Sequence, residues 1–210
     1  MKLKIGIADD HDIVRQGLKQ IISDTDNMVV MGEASNGQEL IEMVRKKPFD
    51  VLLLDISMPG RSGIEILKQL KIEKPNLPVL MLSMHPEDQY AIRALKAGAS
   101  GYISKDSASE VLVEAIRKAA QGRKYISPSL AEKLAGTISH DVDEKAHESL
   151  SDREFQILVM LAQGKSVSEI GKELFLSVKT ISTYRRRILD KMNLKNNAEL
   201  THYAIEHELV

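Results

Sequence analysis

Cysteine and tryptophan are both missing from the 210 residues. Without thiols neither a disulfide nor a thiolate metal site can form, which suits a reducing compartment and makes the cytoplasm the default expectation. Aromatic residues are only 4% of the chain, too few to line the apolar pocket that a hydrophobic small molecule needs. Long apolar runs are absent too. The opening "MKLKIGIADD" reaches acids after a handful of residues, well short of a signal-peptide core or the roughly 20 residues of a membrane helix, so no membrane partner is expected. Nor does one sign of charge dominate: the net charge of -1 excludes a polycationic chain. What remains, 43% hydrophobic and 28% charged, is globular, and the length leaves room for two domains of ordinary size.

Up to about residue 122, short apolar runs alternate with amphipathic segments. The runs are "LKIGIA" (3–8), "MVVMGEA" (28–34), "VLLLD" (51–55), "PVLMLS" (78–83) and "GYIS" (101–104), each a predicted strand. Between and after them, "HDIVRQGLKQIISD", "NGQELIEMVRKK", "SGIEILKQLKIE", "QYAIRALKAG" and "SASEVLVEAIRKAAQG" space their apolar residues by three and four, as helices do. Five strand-then-helix units imply an α/β fold: a doubly wound, five-stranded parallel sheet with right-handed crossovers and helices on both faces. The unbroken "VLLLD" fits a strand buried on both sides. In such sheets ligands sit beyond the carboxyl ends of the strands, where the strand order reverses.

At those ends stand Asp9 and Asp10, Asp55, Ser83 and, just past the fifth strand, Lys105. Two adjacent acids repel. Acids at a helix start do complement its dipole, each by about 0.3–1 kcal/mol, but the coincidence of three carboxylates, a hydroxyl and an ammonium on successive strand ends points to a site. Hard oxygen ligands of this kind suit Mg²⁺, which takes one or two carboxylates together with waters and phosphate oxygens.

Residues 123–147 lose the strand pattern and become small, polar and charged, a predicted linker with room for one short helix. The remainder, 148–210, is all-helical, with candidate caps at Ser151, Ser166 or Ser168, Ser177, and Asn196 or Asn197. "SVSEIGKELFLSVKTISTYRRRILDKM" is helix, short turn, helix, with Ile170, Leu174, Leu176, Val178 and Ile181 available to pack the corner. A helix-turn-helix lays its second helix in the DNA major groove. Residues 179–195 carry six basic side chains against one acid, Asp190, whereas 148–210 as a whole holds nine of each sign. The positive charge is therefore concentrated on the second helix.

"IADDHDIVRQGL", "VLLLDISMPGRSGIE", "VLMLSM" and "GASGYISKDSASEVLVEAIRKAAQG" together resemble the receiver domain of bacterial two-component response regulators over residues 1–122. The resemblance implies a flavodoxin-like fold in which Asp55 accepts a phosphoryl group from a sensor histidine kinase or a small phosphodonor. It implies that Asp10 and Asp55 bind Mg²⁺ with the backbone carbonyl of Ser57, and that Asp9 acts chiefly through a bound water. It further implies that Lys105 and Ser83 meet the phosphoryl oxygens and that Tyr102 changes rotamer afterwards. One departure is Asp106 after Lys105, where many receivers have proline. Phosphatases that pass through an aspartyl phosphate place an acid two residues after the nucleophile; Ser57 stands there, so a switch is expected and not an enzyme.

The segment "LSDREFQILVMLAQGKSVSEIGKELFLSVKTISTYRRRILDKMNLKNNAEL" is similar to the LuxR-type output domain, and with the receiver ahead of it the chain resembles the NarL/FixJ subfamily. Carried over by motif, Ser182, Thr183 and Arg186 face bases, while Lys179, Thr180, Tyr184, Arg185 and Arg187 contact phosphates. Many relatives have lysine where Ser182 stands. Such domains act as homodimers on paired DNA half-sites, with Ala198, Leu200, Tyr203 and Ala204 as possible contacts. A LuxR-type sensor of a hydrophobic signal is the competing class; the acidic strand ends and the missing tryptophan oppose it. None of His11, His85, His140, His147, His202 and His207 has metal-ligand spacing, and all six are expected to be structural.

Overall fold

Five parallel strands, β1 (Leu3–Ala8), β2 (Met28–Ala34), β3 (Val51–Asp55), β4 (Val79–Ser83) and β5 (Gly101–Ser104), form one sheet in the order β2-β1-β3-β4-β5. The computed structural model describes residues 2–84, 87–139, 146–207 and 209–210. His85 and His140, two of the six histidines expected to be structural, lie outside them. The chain divides into two compact units, Met1–Ala131 and Glu132–Val210.

In the first unit the helices are α1 (Asp12–Ser23), α2 (Gly37–Lys46), α3 (Gly63–Glu73), α4 (Glu87–Lys96) and α5 (Ala108–Ala120). Strand β3 is central, paired with β1 through Ile5–Ala8 and with β4 through Val79–Leu82. All five of its residues are buried, and alternation sends them to opposite faces. Val51 and Leu53 join Ile5, Ile7, Leu80, Leu82 and Ile103 against Leu18 and Ile22 of α1 and Leu112 and Ile116 of α5. Pro78, predicted to open the fourth strand, precedes it; its carbonyl still accepts from Leu52 N–H at 2.9 Å. Strand order reverses between β1 and β3, so the carboxyl ends of these two strands flank the crevice where ligands bind in open sheets.

Past α5 the chain rejoins the sheet. Tyr125 N–H donates to Ser100 O at 2.8 Å, bridging Tyr125 to Gly101 beside β5. A helix, α6 (Pro128–Ser139), then fills twelve residues of the stretch expected to be a linker.

The second unit holds a 3-10 turn (Ala146–Ser149), α7 (Asp152–Ala162), α8 (Val167–Glu173), α9 (Val178–Met192) and α10 (Asn197–Glu206). Helix α7 packs on α8, α9 and α10, and Leu158, Ile170, Leu174, Ile181, Ile188 and Leu200 are buried. The caps resolve to Ser151, Ser166, Ser177 and Asn196, each accepting from a first-turn backbone N–H, with reciprocal boxes at Ser151–Glu154 and Ser166–Glu169. Such a cap contributes about 1 kcal/mol. In the corner between α8 and α9, Leu176 N–H donates to Gly171 O at 2.8 Å. A Cβ on Gly171 would stand 2.8 Å from Leu176 O, so the tight corner requires glycine. Of the expected corner residues, Ile170, Leu174 and Ile181 are buried but Val178, the first residue of α9, is 48% exposed. Leu200 and Ala204, possible dimer contacts by resemblance, are buried within the unit, whereas Ala198 is exposed and Tyr203 half-buried. Tyr203 instead meets the turn before α7: its hydroxyl lies 2.9 Å from His147 Nδ1.

Candidate functional site

Strand register assembles the first site. Asp55 closes β3 opposite Leu82, one residue before Ser83 ends β4, and Ser83 pairs with Ser104 of β5, next to Lys105. Asp9 and Asp10 follow β1, and Asp9 N–H donates to Ala34 O at 3.1 Å. Asp9, Asp55 and Ser83 are fully buried, while Asp10 is about a quarter exposed, at 27%. The Lys105 ammonium, itself only 6% exposed, joins two of the acids: it lies 2.7 Å from Asp9 Oδ2 and 3.0 Å from Asp55 Oδ2. Its backbone N–H donates to Ser83 O at 2.8 Å, which anchors the ammonium stem to β4. Ser57 is half-buried in the loop after β3.

Close packing holds that loop. Ser62 caps α3 in a box with Glu65, and Gly63 N–H donates to Ile56 O at 2.8 Å. A Cβ on Gly63 would overlap the backbone carbonyl of Asp55 itself; glycine lets the loop fold back against the reactive strand end.

The electrostatics are those of a site short of positive charge. Burial pushes the Asp55 carboxyl up to about 6, with Lys105 pulling it down and Asp9 adding to the rise. Burial works to lower the Lys105 ammonium, but the Asp55 and Asp9 carboxylates outweigh it and raise the group. The Ser57 backbone N–H is near enough to help lower the Asp55 carboxyl, but among the described residues Asp55 Oδ1 has no hydrogen bond of good geometry. A buried carboxylate oxygen with no donor is costly unless a cation takes it. Ligand atoms of Asp9, Asp10, Asp55 and His11 all lie within 4.8 Å of one another, a span that one divalent ion can bridge. The oxygen donors therefore fit Mg²⁺ or a cation like it.

Two neighbours were not expected from the sequence. Arg15, one turn into α1, donates to the Asp9 carbonyl at 2.6 Å and pairs with Asp12. His11 donates its backbone N–H to Asp9 Oδ1 at 2.9 Å, and its ring Nδ1 stands 2.9 Å from Asp10 Oδ1. The ring is turned toward the acids instead of serving as an isolated cap. The "DDHD" run held this proximity only implicitly, since ring orientation depends on backbone angles after the strand.

Tyr102, on β5, is fully buried, and Tyr90, on α4, is 2% exposed. Burial first, and then Tyr102, raises the Tyr90 hydroxyl above its ordinary range, and α4 packs on β5.

The second site lies on α9. Lys179, Ser182, Thr183, Arg186 and Arg187 are exposed, and Thr180, Tyr184 and Arg185 are half-buried. Ser177, Lys179, Thr180, Thr183, Tyr184 and Arg187 line a concavity of about 330 Å³. Spacing by three and four gathers these residues on one face. Ser182 and Arg186 form the adjoining row. Ser182 and Thr183 hydroxyls donate back to the Val178 and Lys179 carbonyls at 2.8 and 2.9 Å, which leaves their oxygens able to accept. Arg185 is turned to α10, its Nε donating to Asn197 Oδ1 at 2.6 Å. Ser177 was expected only as a cap; it also lines the concavity, at the helix end whose free N–H groups favour anions.

Residues 5–117 match the family described as the response regulator receiver domain, and 148–204 that of bacterial regulatory proteins of the luxR family. Response regulator UvrY of Escherichia coli K12 is 38% identical over 208 residues, 99% of this chain and 95% of its own. Response regulator GacA of Pseudomonas aeruginosa is 36% identical over 209 residues, covering 99% and 98%. Among solved structures, RcsB of Salmonella typhimurium superposes with a TM-score of 0.70 at 28% identity, over 98% of each chain. RcsB of Salmonella enterica serovar Typhimurium, bound to promoter rprA in the presence of phosphomimetic BeF3-, gives 0.67 at 29% identity, over 97% of this chain and 98% of that one. No helix among the described residues is long and apolar enough to cross a membrane.

Proposed function

The chain belongs to the response regulators of the NarL/FixJ subfamily, which join a receiver domain to a LuxR-type output domain, and from that premise we propose that Asp55 accepts a phosphoryl group and thereby controls DNA binding by α9. The receiver then spans 1–122, a linker 123–147 and the output domain 148–210, working in the cytoplasm. The donor is a sensor histidine kinase or a small phosphodonor. What supports this most is Asp55 itself: fully buried at a strand end, with one oxygen 3.0 Å from the Lys105 ammonium and the other meeting no well-formed hydrogen bond among the described residues.

Asp55 supplies the nucleophilic oxygen, and as its bond to phosphorus forms, the bond from phosphorus to the donor's nitrogen or oxygen breaks. Positioning and charge neutralisation are the protein's main contributions to such a transfer. Asp10, Asp55 and the Ser57 carbonyl would hold Mg²⁺, with Asp9 acting through a water; the ion would neutralise phosphoryl charge and favour the ionised nucleophile. Lys105 already stands beside Asp55 and would follow the charge onto the phosphoryl oxygens, while Ser83 donates its hydroxyl to another. The product adds about -1.5 to -2 of charge in a site walled by apolar strands. Drawing Ser83 and its loop inward opens space for Tyr102, whose change of rotamer would alter the surface of α4 and β5.

At the output, Arg186 with Ser182 and Thr183 would face base edges, and Lys179, Thr180, Tyr184, Arg185 and Arg187 the phosphates of double-stranded DNA. An arginine paired to guanine contributes about 1–3 kcal/mol of discrimination. Phosphorylation favours a homodimer on paired half-sites.

Acetyl phosphate with Mg²⁺, followed on a phosphate-affinity gel, tests the reading. Wild type should shift, Asp55→Ala should not, and Asp10→Ala should fold yet shift poorly. An undiminished shift in Asp55→Ala defeats the assignment. Equal affinity of phosphorylated and unphosphorylated chain for DNA defeats the switch.

A further inference from the structure

We propose that Val178 reads the methyl group of a thymine in the DNA major groove, on the same row of α9 as Ser182 and Arg186. This rests on the reading of α9 as the DNA-binding helix and adds to it a residue and a base chemistry.

Placement singles out Val178. Among the described residues of the second unit, the exposed large apolar side chains are Phe175, Val178, Ile205 and Val210, and of these only Val178 belongs to α9. An apolar side chain exposed singly is ordinary on a protein surface, but this one opens the helix whose N-terminal residues meet base edges in a helix-turn-helix. Residues four apart form ridges along a helix, so Val178, Ser182 and Arg186 make one row. All three are exposed. The Ser182 hydroxyl donates to the Val178 carbonyl at 2.8 Å, which leaves the row with an apolar group, an acceptor and a cation.

A valine at this position does not serve the helix itself. Helices α7, α8 and α10 each carry an acid in the first turn, where it complements the dipole, whereas α9 carries none. An acid there would repel DNA phosphates, and β-branched valine is a weak helix former. What valine brings is a pair of methyl groups. The one apolar group that a base edge presents in the major groove is the C5-methyl of thymine, so the base that matches Val178 is thymine. Cytosine, without that methyl, offers it nothing to pack against.

The test selects duplexes from a random pool with the full chain, acetyl phosphate and Mg²⁺, then replaces each thymine of the enriched half-site by uracil, which lacks only the methyl. At one thymine wild type should lose affinity on the order of fivefold by fluorescence anisotropy, the weight of one buried methyl. Val178→Ala should bind the thymine and uracil duplexes equally there, while Thr183→Ala should keep the penalty. The role of Val178 is overturned if no uracil weakens wild type, if the penalty persists in Val178→Ala, or if Thr183→Ala abolishes it; each of these leaves α9 standing as the DNA-binding helix. Failure to enrich any sequence overturns sequence reading by α9 and the role of Val178 together. The uracil series is read on the native chain, so a misfolded variant cannot obscure it.

Discussion

Asp55 should destabilise the fold it serves. Moving a carboxyl from 3.8 to about 6 disfavours the ionised form in the folded chain by at most about 3 kcal/mol. The sign follows from proton binding. A raised folded value means that the native state holds the proton more tightly than the unfolded state does. Stability from this group is therefore fullest below the ordinary carboxyl value, falls as pH rises through about 4 to 6, and stays low above. Asp55→Asn keeps the shape of the protonated acid and cannot ionise. It should stabilise the chain by about 1–3 kcal/mol at about pH 7.5, and the gain should vanish near pH 4. Urea unfolding followed by circular dichroism, in EDTA to exclude divalent cations, measures both ends. No gain at neutral pH, or a gain that grows as pH falls, refutes the claim that burial governs this carboxyl.

Further expectations rest on the neighbouring contacts and on α9. Lys105→Met removes the cation shared by Asp9 and Asp55 and should cost about 3 kcal/mol at neutral pH by urea melt, less in acid as the carboxylates take up protons. Gly63→Ala drives a methyl into the Asp55 carbonyl and should cost about 2 kcal/mol in thermal unfolding, whereas Gly60→Ala, where a Cβ meets nothing within 4 Å but φ is +84°, should cost about 1 kcal/mol through backbone strain alone. Arg187→Ala should weaken DNA binding similarly on all sequences and reduce the slope of log affinity against log salt by about one, measured by fluorescence anisotropy. Arg185→Ala should lower thermal stability as well as DNA binding, because it also frees Asn197 on α10.

The strands, the helices and the acids at the strand ends were legible along the chain because each rests on local chemistry. An apolar run bounded by polar residues must be buried, a spacing of three and four makes a helical face, and serine or asparagine before such a face caps it. The same logic placed the basic residues on α9. Where choices stayed open, as between Ser166 and Ser168 or Asn196 and Asn197, backbone angles decided. Ser166 and Asn196 are the residues in extended conformation, which aims the side chain at the first-turn N–H groups.

Contacts between residues distant in sequence are a different matter. The ammonium of Lys105 bridges Asp9 and Asp55 because parallel pairing sets β1, β3, β4 and β5 in register, and no periodicity encodes that distance. The turn of His11 toward Asp10, the hold of Arg15 on the Asp9 carbonyl and the diversion of Arg185 to Asn197 depend likewise on side-chain directions set by packing. Residue order thus determines which groups reach the strand ends and the exposed helix. Folding determines which of them meet, because burial and register, not spacing, set charges within bonding distance and raise the Asp55 carboxyl to about 6.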